Sequence, residues 1–231
     1  MKAIRLQIYQ ETANYRMPLD FDFRESLPLP AYSTVLGMIH DLCGYTKYHP
    51  MKLSISGSYA STVDNLQTKY EFGGIGKDRK NFITVGDLRV SRGIMYVQML
   101  VDVNLTVHVV PSAEDFDTVY NALKNPREFV SLGRREDLAK MKVDVVDLNE
   151  KVLDHDLNIQ TGFYLPLKDA QRLRVTGTYY DLPKQYEHID MRNYAIRDWV
   201  KKVQSYYVSG LSADAGQNLL QDDDGDVVFL A

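Results

Sequence analysis

The sequence predicts an α+β chain with a ferredoxin-like (RRM-like) core whose elements follow one another as β-α-β-β-α-β. Three observations predict this fold. Strand-like stretches alternate with two helix-like stretches in that order. A long polar insertion separates the second strand from the third, and several short strand-like runs follow the core. We therefore expect a core that carries an inserted arm and a β-rich C-terminal extension.

The first strand and the first helix have clear signals. Residues 3–9 alternate between apolar and polar side chains, which is typical of a half-buried strand. Pro28 and Pro30 fix φ and lack an N–H, so the chain before the helix is held extended. Ser33 is the predicted N-cap, and Gly44 is the residue type that ends helices in a left-handed conformation.

The other core elements follow in order. Residues 53–59 form the second predicted strand, and residues 94–110 alternate over a longer third strand. The second helix begins with Ser112 as N-cap and ends before Pro126. Residues 129–132 are the predicted fourth strand.

In this arrangement both helices cover one face of the sheet, and the other face stays partly polar and open. Related RNA-recognition folds bind stacked bases on that face. The fold by itself does not assign a function.

The arm, defined as residues 61–92, is too long for a hairpin turn. Glycines permit close backbone approach, cations neutralise phosphates and aromatic side chains can stack on bases, so the composition of the arm favours contact with a nucleic acid. The alternative is a solvated loop that carries some charge. The residues concerned are Gly73, Gly74, Gly76, Lys77, Arg79, Lys80, Arg89, Arg92, Tyr70, Phe72 and Phe82.

No Gly/Ser-rich linker divides the chain. We expect residues 1–141 to form the ferredoxin-like domain and residues 142–231 to form the β-rich extension packed on it. Its strand-like runs are residues 143–148, 159–165, 172–182 and 203–208, and its large aromatic side chains are expected to pack internally.

The charge is distributed unevenly along the chain. Residues 1–142 hold 18 Lys/Arg and 16 Asp/Glu, whereas residues 143–231 hold 9 and 15, giving +2 and −6, the formal net charge of −4. Residues 77–92 carry five cations and two carboxylates, a surplus of +3. The sequence therefore predicts a focused cationic patch on a slightly acidic protein.

The sequence argues against several classes of protein and of binding site. No apolar stretch approaches the ~20 residues that cross a bilayer, and the N-terminus lacks a signal peptide's apolar region, so we expect a cytoplasmic protein. The single cysteine, Cys43, has no partner for a disulfide or a cysteine-based metal site. The glycine run at 73–76 lacks the spacing of a phosphate-binding loop, and the acidic run at 222–226 lacks the closing glutamate of a calcium loop. We expect no cofactor and no metal.

The five histidines form no convincing catalytic pattern for RNA cleavage, which needs a general base near neutral pH. His108, on the polar side of the long strand, is the best candidate, and a hydrogen-bonded strand histidine is the stronger interpretation.

Three motifs together identify a resemblance. Residues 27–44 read LPLPAYSTVLGMIHDLCG, residues 128–137 read EFVSLGRRED, and residues 222–231 read DDDGDVVFLA. A proline-rich approach to Ser-Thr-x-x-Gly, a later Leu-Gly-Arg-Arg-Glu-like stretch and this ending resemble the Cas-five family of CRISPR-associated proteins. The order and separation of the motifs suit the whole chain.

The resemblance implies a non-catalytic subunit of a type I CRISPR surveillance complex (Cascade) in antiviral defence, looking most like the type I-B branch. Such a subunit caps the 5′ handle of the crRNA and contacts the repeated backbone subunit (Cas-seven type) and the large subunit (Cas-eight type), which reads target DNA. It also implies that the arm protrudes as a thumb.

The implied RNA contacts lie in three places: the proline-approach loop, the arm and the Gly-Arg-Arg stretch. Guanidinium groups grip phosphate oxygens from two sides, so we expect at least one of the adjacent arginines to touch RNA. The predicted RNA-binding residues are Tyr32, Ser33, Thr34, Lys77, Arg79, Lys80, Arg89, Arg92, Gly133, Arg134 and Arg135.

Two alternatives remain open. In the type I-C branch the Cas-five subunit itself cuts precursor crRNA, without metal, with a tyrosine, lysine and histidine group. No motif places that group here, and His108 with a nearby tyrosine is the first candidate for it. The other alternative is a ferredoxin-like protein with an unrelated partner.

Overall fold

The computed structural model describes residues 1–18, 23–72, 82–86, 88–191 and 195–231. Within these ranges the fold is mainly β. The strands are β1 (Lys2–Ala13), β2 (Phe23–Arg24), β3 (Lys52–Ser58), β4 (Ser61–Phe72), β5 (Phe82–Val85), β6 (Leu88–Val110), β7 (Lys140–Asp147), β8 (Asn149–Val152), β9 (Leu157–Ile159), β10 (Gly162–Pro166), β11 (Thr178–Asp190), β12 (Ala195–Val208), β13 (Leu211–Ala213) and β14 (Asn218–Gln221). The helices are α1 (Tyr32–Cys43), α2 (Phe116–Lys124) and α3 (Leu167–Leu173).

The main sheet is built around β6. Its strands lie in the order β11-β12-β10-β3-β6-β1-β7, and β2, β4 and β5 also pair with β6. The second half of β6 pairs with β1 and β3, while its first half pairs antiparallel with β4 from Ser61↔Val101 to Phe72↔Val90. One 23-residue strand therefore belongs both to the core and to the arm.

Helices α1 and α2 pack on one face of the sheet. Apolar side chains repeat every two residues in the strands and about every 3.6 residues in the helices, so both present them to the same layer. Each fully buried Leu, Ile or Val side chain stabilises the fold by about 1.5–3 kcal/mol relative to its exposed state. This main core includes Ile4, Leu6, Val35, Ile39, Leu53, Ile55, Val107, Val109, Val119, Leu123 and Val143, which are all buried.

The helix ends differ in part from the prediction. α1 begins at Tyr32 because the carbonyl of Ala31 already accepts the N–H groups of Thr34 (2.9 Å) and Val35 (3.2 Å). The prediction that Ser33 is the N-cap is therefore wrong, since Ser33 lies in the first turn. Gly44 ends the helix at φ 72°, which confirms the prediction for that residue.

The predicted fourth strand is wrong. Residues 129–132 form only an isolated bridge, Ser131↔Leu138, and β7 takes the place beside β1, from Lys2↔Asp147 to Tyr9↔Lys140. Val130 and Leu132 are buried in the main core, and a short buried run does not distinguish a strand from a packed loop. The domain boundary predicted at residue 141 falls inside β7.

The C-terminal part continues the sheet. β10 pairs with β3, β12 with β10, and β11 with β12. The strand predicted over residues 172–182 is half wrong, because α3 extends to Leu173 and β11 begins at Thr178. A second apolar cluster under this part includes Phe163, Leu165, Leu211, Leu219 and Phe229.

The C-terminal segment, residues 222–231, returns to the core sheet. It turns at Gly225 (φ 92°) and buries Val227, Val228 and Phe229. Ala231 exchanges two backbone hydrogen bonds with Leu53, at 3.0 and 3.2 Å. The end of the chain is therefore part of the folded core.

Among the helices of the described ranges, none is long and apolar enough to cross a membrane.

Candidate nucleic-acid interface

The Gly-Arg-Arg turn, residues 133–137, is held against the end of β1 by one buried carboxylate. Asp137 is 2% exposed and accepts hydrogen bonds from the backbone N–H groups of Asn14 and Arg134, both at 3.0 Å. Gly133 has φ 103°, and a Cβ there would lie 2.9 Å from the carbonyl oxygen of Asn14. The glycine is therefore required by the backbone conformation and by the close approach.

The two adjacent arginines have different environments. Arg134 forms a two-pronged pair with Asp137 (Nη2–Oδ1 2.6 Å, Nε–Oδ2 3.0 Å), and this hydrogen bonding holds the pKa of Arg134 above its usual value. Arg135 is 94% exposed, with its guanidinium 3.9 Å from Glu128. Arg134 therefore stabilises the turn, while Arg135 is available to a ligand.

Two further arginines, which the sequence analysis did not single out, lie near this turn. Burial lowers the pKa of Arg24, and the positive charges of Arg16 and Arg134 lower it further. The buried Nε of Arg24 has no hydrogen-bond partner among the described residues. The arginine cluster, defined as Arg16, Arg24 and Arg134, thus brings cations together although the sequence separates them by up to 118 positions.

The arginine cluster lies at the base of the arm. Arg24 is in β2, which pairs with β6 at Val97, and the guanidinium of Arg134 reaches Gln67 on β4 at 3.5 Å. No sequence motif marks Arg16 or Arg24, so only the tertiary structure shows that they lie near this turn.

The arm is an extension of the sheet and not a simple loop. Tyr70 pairs directly with Arg92 across β4 and β6, so the ring and the guanidinium share one face. Tyr70 and Phe72 are 50% and 75% exposed, and Arg89 and Arg92 are exposed as well. Lys77, Arg79 and Lys80, with Gly73, Gly74 and Gly76, lie outside the described residues.

The proline-approach loop offers less surface than predicted. Tyr32 is 0% exposed, and its ring centroid lies 6.2 Å from that of Tyr164 in the core. It therefore packs the interior and presents no surface to RNA. Ser33 and Thr34 are partly exposed, and Ser33 borders a cavity of about 320 Å³ between α1 and β11.

His108 is closed off from solvent. It is 1% exposed, and its Nε2 lies 3.0 Å from Oδ2 of Asp222, which also pairs with Arg5 at 2.9 Å. Burial lowers the pKa of His108, against the opposing effect of Asp222. The structure therefore contradicts the choice of His108 as the first catalytic candidate, because no substrate reaches it.

A different histidine pair lies beside the cavity at α1. His40 Nδ1 bonds the carbonyl of Leu36 at 2.8 Å, and His40 Nε2 accepts the backbone N–H of His49 at 2.9 Å. His49 Nδ1 lies 3.0 Å from Asp115, which also accepts the hydroxyl of Tyr45 at 3.1 Å. Tyr48 and Lys184 line the same cavity.

The described residues contain no group of three or more His, Cys, Asp or Glu side chains arranged to hold a metal ion.

The comparisons identify the family. The sequence model of the family described as "CRISPR-associated protein (Cas_Cas5)" matches residues 3–204. No curated protein matches the chain significantly.

The chain is similar to two solved structures. One, described as "CRISPR RNA-guided surveillance complex", has a TM-score of 0.57 and 17% identity, covering 92% of this chain and 90% of that chain. The other, "Crystal structure of a CRISPR protein from Archaeoglobus fulgidus", has a TM-score of 0.47 and 11% identity, covering 100% and 99%. With a family match over 202 of 231 residues (3–204), the chain belongs to the Cas-five (Cas5) family of CRISPR-associated proteins.

Proposed function

We propose that this chain is a non-catalytic RNA-binding subunit of a type I CRISPR surveillance complex and that it caps the 5′ handle of the crRNA. Membership of the Cas-five family supports a role in CRISPR defence. The arginine cluster, together with the exposed Arg135, is the observation that supports RNA as the ligand, because positive charges gathered beside one turn favour an anionic partner.

The core is assigned as ferredoxin-like. Four strands lie in the order β7-β1-β6-β3, α1 connects β1 to β3, and α2 connects β6 to β7. With both helices in one apolar layer, this arrangement supports the β-α-β-β-α-β assignment.

The partners follow from the same proposal: the repeated backbone subunit (Cas-seven type), the large subunit (Cas-eight type) and, through them, target DNA. The arm supports a protein contact as well as an RNA contact. Leu66, Ile94 and Tyr96 lie on one face of it and are 55%, 69% and 48% exposed, and clustered exposed apolar side chains mark interaction surfaces. The type I-B branch and a cytoplasmic location are part of the proposal.

Charge reversal at the arginines tests RNA binding. The double variant Arg24→Glu/Arg135→Glu should weaken binding of labelled repeat RNA and reduce the slope of log K against log salt by about 0.7 for each lost phosphate contact. Anisotropy titrations at several salt concentrations measure both quantities. Arg172→Glu, on the exposed side of α3, is the matched control. Unchanged affinity and slope in the double variant would contradict the proposal.

The second candidate function is metal-independent cleavage of precursor crRNA. It is supported by the histidine pair, because tyrosine, lysine and histidine side chains surround one cavity there. His49, which contacts Asp115 at 3.0 Å and donates its backbone N–H to His40 at the cavity, is the proposed acceptor of a proton from a ribose 2′-hydroxyl.

Incubation of the purified chain with labelled repeat RNA in EDTA separates the two functions. Specific cuts that His49→Ala abolishes, while binding persists, would support cleavage. Binding without cuts would support the cap.

A further inference from the structure

The polar face of the core sheet is divided into three rows by the strand register. Residues that pair directly across β3, β6, β1 and β7 point to the same side. The first row is Ser54, His108, Arg5 and Asp144.

The C-terminal segment covers this first row. Asp222 pairs with Arg5 at 2.9 Å and with His108 at 3.0 Å, and the N–H of Phe229 donates to the hydroxyl of Ser54 at 2.9 Å. Arg5 and His108 are 5% and 1% exposed as a result. This end of the face is therefore filled by the chain itself.

The next two rows are left open. The second row is Ser56, Thr106, Gln7 and Lys142, and the third is Ser58, Asn104, Tyr9 and Lys140. Apart from Ser56, these side chains line a cavity of about 490 Å³. Among the described residues that line the cavity, the charged side chains are two exposed lysines, of which Lys142 pairs with Asp144 at 3.0 Å.

The chemistry of the open rows is that of a nucleotide site. Gln7 and Asn104 each offer an amide donor and an amide acceptor at the centre of the sheet, which matches the edge of a base. The Tyr9 ring is 38% exposed, and its hydroxyl bonds Asp102, which raises the pKa of Tyr9 and fixes the ring. Lys140 and Lys142 stand two residues apart on β7, a spacing of about 7 Å that suits successive phosphates.

We propose that this cavity binds a single-stranded nucleic-acid segment, with one base stacked on Tyr9 and its flanking phosphates at Lys140 and Lys142. The proposal rests on the proposed function, since it takes the chain to carry RNA, and it adds a contact surface separate from the arginine cluster and the arm.

Binding of a fluorescein-labelled 8-nucleotide single-stranded RNA of mixed sequence to the full chain tests the site. Tyr9→Leu should weaken binding at least about 5-fold, the lower range for one stacked base, and Tyr9→Phe should bind like wild type because the ring is kept. Lys140→Glu should weaken binding and lower the salt slope, while Lys151→Glu, an exposed lysine on β8, should change neither.

The outcomes separate this proposal from the proposed function. If Arg24→Glu/Arg135→Glu weakens binding and the Tyr9 and Lys140 variants do not, the sheet-face site is wrong and the proposed function stands. If the wild-type chain does not bind the RNA, both are wrong. A DNA 8-mer of the same sequence tests whether the ribose matters. If Tyr9→Leu weakens binding of the RNA and the DNA probe equally, the result supports a site that recognises the base. If Tyr9→Leu weakens binding of neither probe, the result contradicts the proposed site.

Discussion

Asp137 is the residue on which the geometry of the Gly-Arg-Arg turn depends. It is almost fully buried, and it accepts hydrogen bonds from two backbone N–H groups and from the guanidinium of Arg134. A buried carboxylate is tolerated when such partners satisfy it, and removal of either side leaves the other unpaired.

Asp137→Ala should therefore lower the free energy of unfolding by about 2–4 kcal/mol. Urea denaturation followed by circular dichroism measures the change. The matched variant is Glu136→Ala, whose side chain is 65% exposed, and it should change stability by less than about 0.5 kcal/mol. Equal effects for the two variants would show that Asp137 does not hold the turn.

His108, Arg5 and Asp222 link stability to pH. Burial lowers the pKa of His108, so its contribution to stability is complete above the unfolded pKa of about 6.5 and is lost as pH falls below it. Burial opposes the charge of Asp222, but hydrogen bonds from His108 and the Asp226 backbone hold the pKa of Asp222 below its usual value. The stability that the charged form of Asp222 contributes is therefore lost only below about pH 3.9.

The free energy of unfolding should thus fall between pH 7 and pH 5, with a slope of at most about 1.4 kcal/mol per pH unit from His108. In His108→Gln this part of the slope should disappear, because glutamine keeps a donor towards Asp222 and does not titrate. Urea denaturation at half-unit pH steps measures the slope. His155→Gln, at an exposed site, should keep it, and an unchanged slope in His108→Gln would contradict the assignment.

The sequence predicted part of the candidate site at this scale. Gly133 and the adjacent arginines stood out by motif, but their sequence does not show that Arg134 is occupied by Asp137 while Arg135 is exposed. Arg16 and Arg24 have no local pattern, because their significance comes from charges brought together by the fold.

At the scale of elements, two glycines differ in whether the surrounding structure has room for a side chain. Gly57 lies in β3, where an added Cβ would meet the carbonyl oxygen of Asn104 and a methyl group of Leu105, both at 2.6 Å. Gly37 lies in the middle of α1, exposed, with no atom within 4 Å of an added Cβ.

Gly57→Ala should destabilise the chain by about 1–3 kcal/mol, since the backbone of β6 must shift. Gly37→Ala should stabilise it by about 0.5–1 kcal/mol, because alanine favours a helix interior. Thermal unfolding of the two variants gives the sign of each effect. A stable Gly57→Ala variant would mean that β3 and β6 are less closely paired than described.

Periodicity predicted β1, β3, α1 and α2, because each has one apolar face, although α2 begins at Phe116 with Asp115 and not Ser112 as its N-cap. It failed for the fourth strand, since Val130 and Leu132 are buried in a loop, and the strand-like run over residues 143–148, which lies mostly in β7, was assigned to the C-terminal extension. It also missed the first part of β6 and the whole of β4, whose side chains are largely exposed on both faces.

At the scale of the whole molecule, the C-terminal segment completes the core. Val227, Val228 and Phe229 are 2–3% exposed, and the segment supplies the partner of Arg5 and His108. The charge pattern of its sequence predicted an acidic turn, and only the fold shows that this turn reaches the buried guanidinium of Arg5, 217 positions away.

A chain that ends after Gln221 should lose roughly 5–9 kcal/mol from the three apolar side chains, which is comparable to the whole stability of a domain. We expect it to lack a cooperative unfolding transition, as measured by near-ultraviolet circular dichroism during heating. Asp224→Asn in the full chain, with its side chain 67% exposed, should keep the transition. Cooperative melting of the shortened chain at the original temperature would contradict this role.

The continuity of β6 has a consequence for assembly kinetics. Its 23 residues run from the paired part of the arm into the core as one strand, with Asp102 at φ 58° near the boundary between the two. A companion subunit that docks on the paired strands β4 and β6 binds a preorganised surface, so association costs little chain entropy. Loosening the base of the arm should then show first as faster dissociation, with the association rate changed far less.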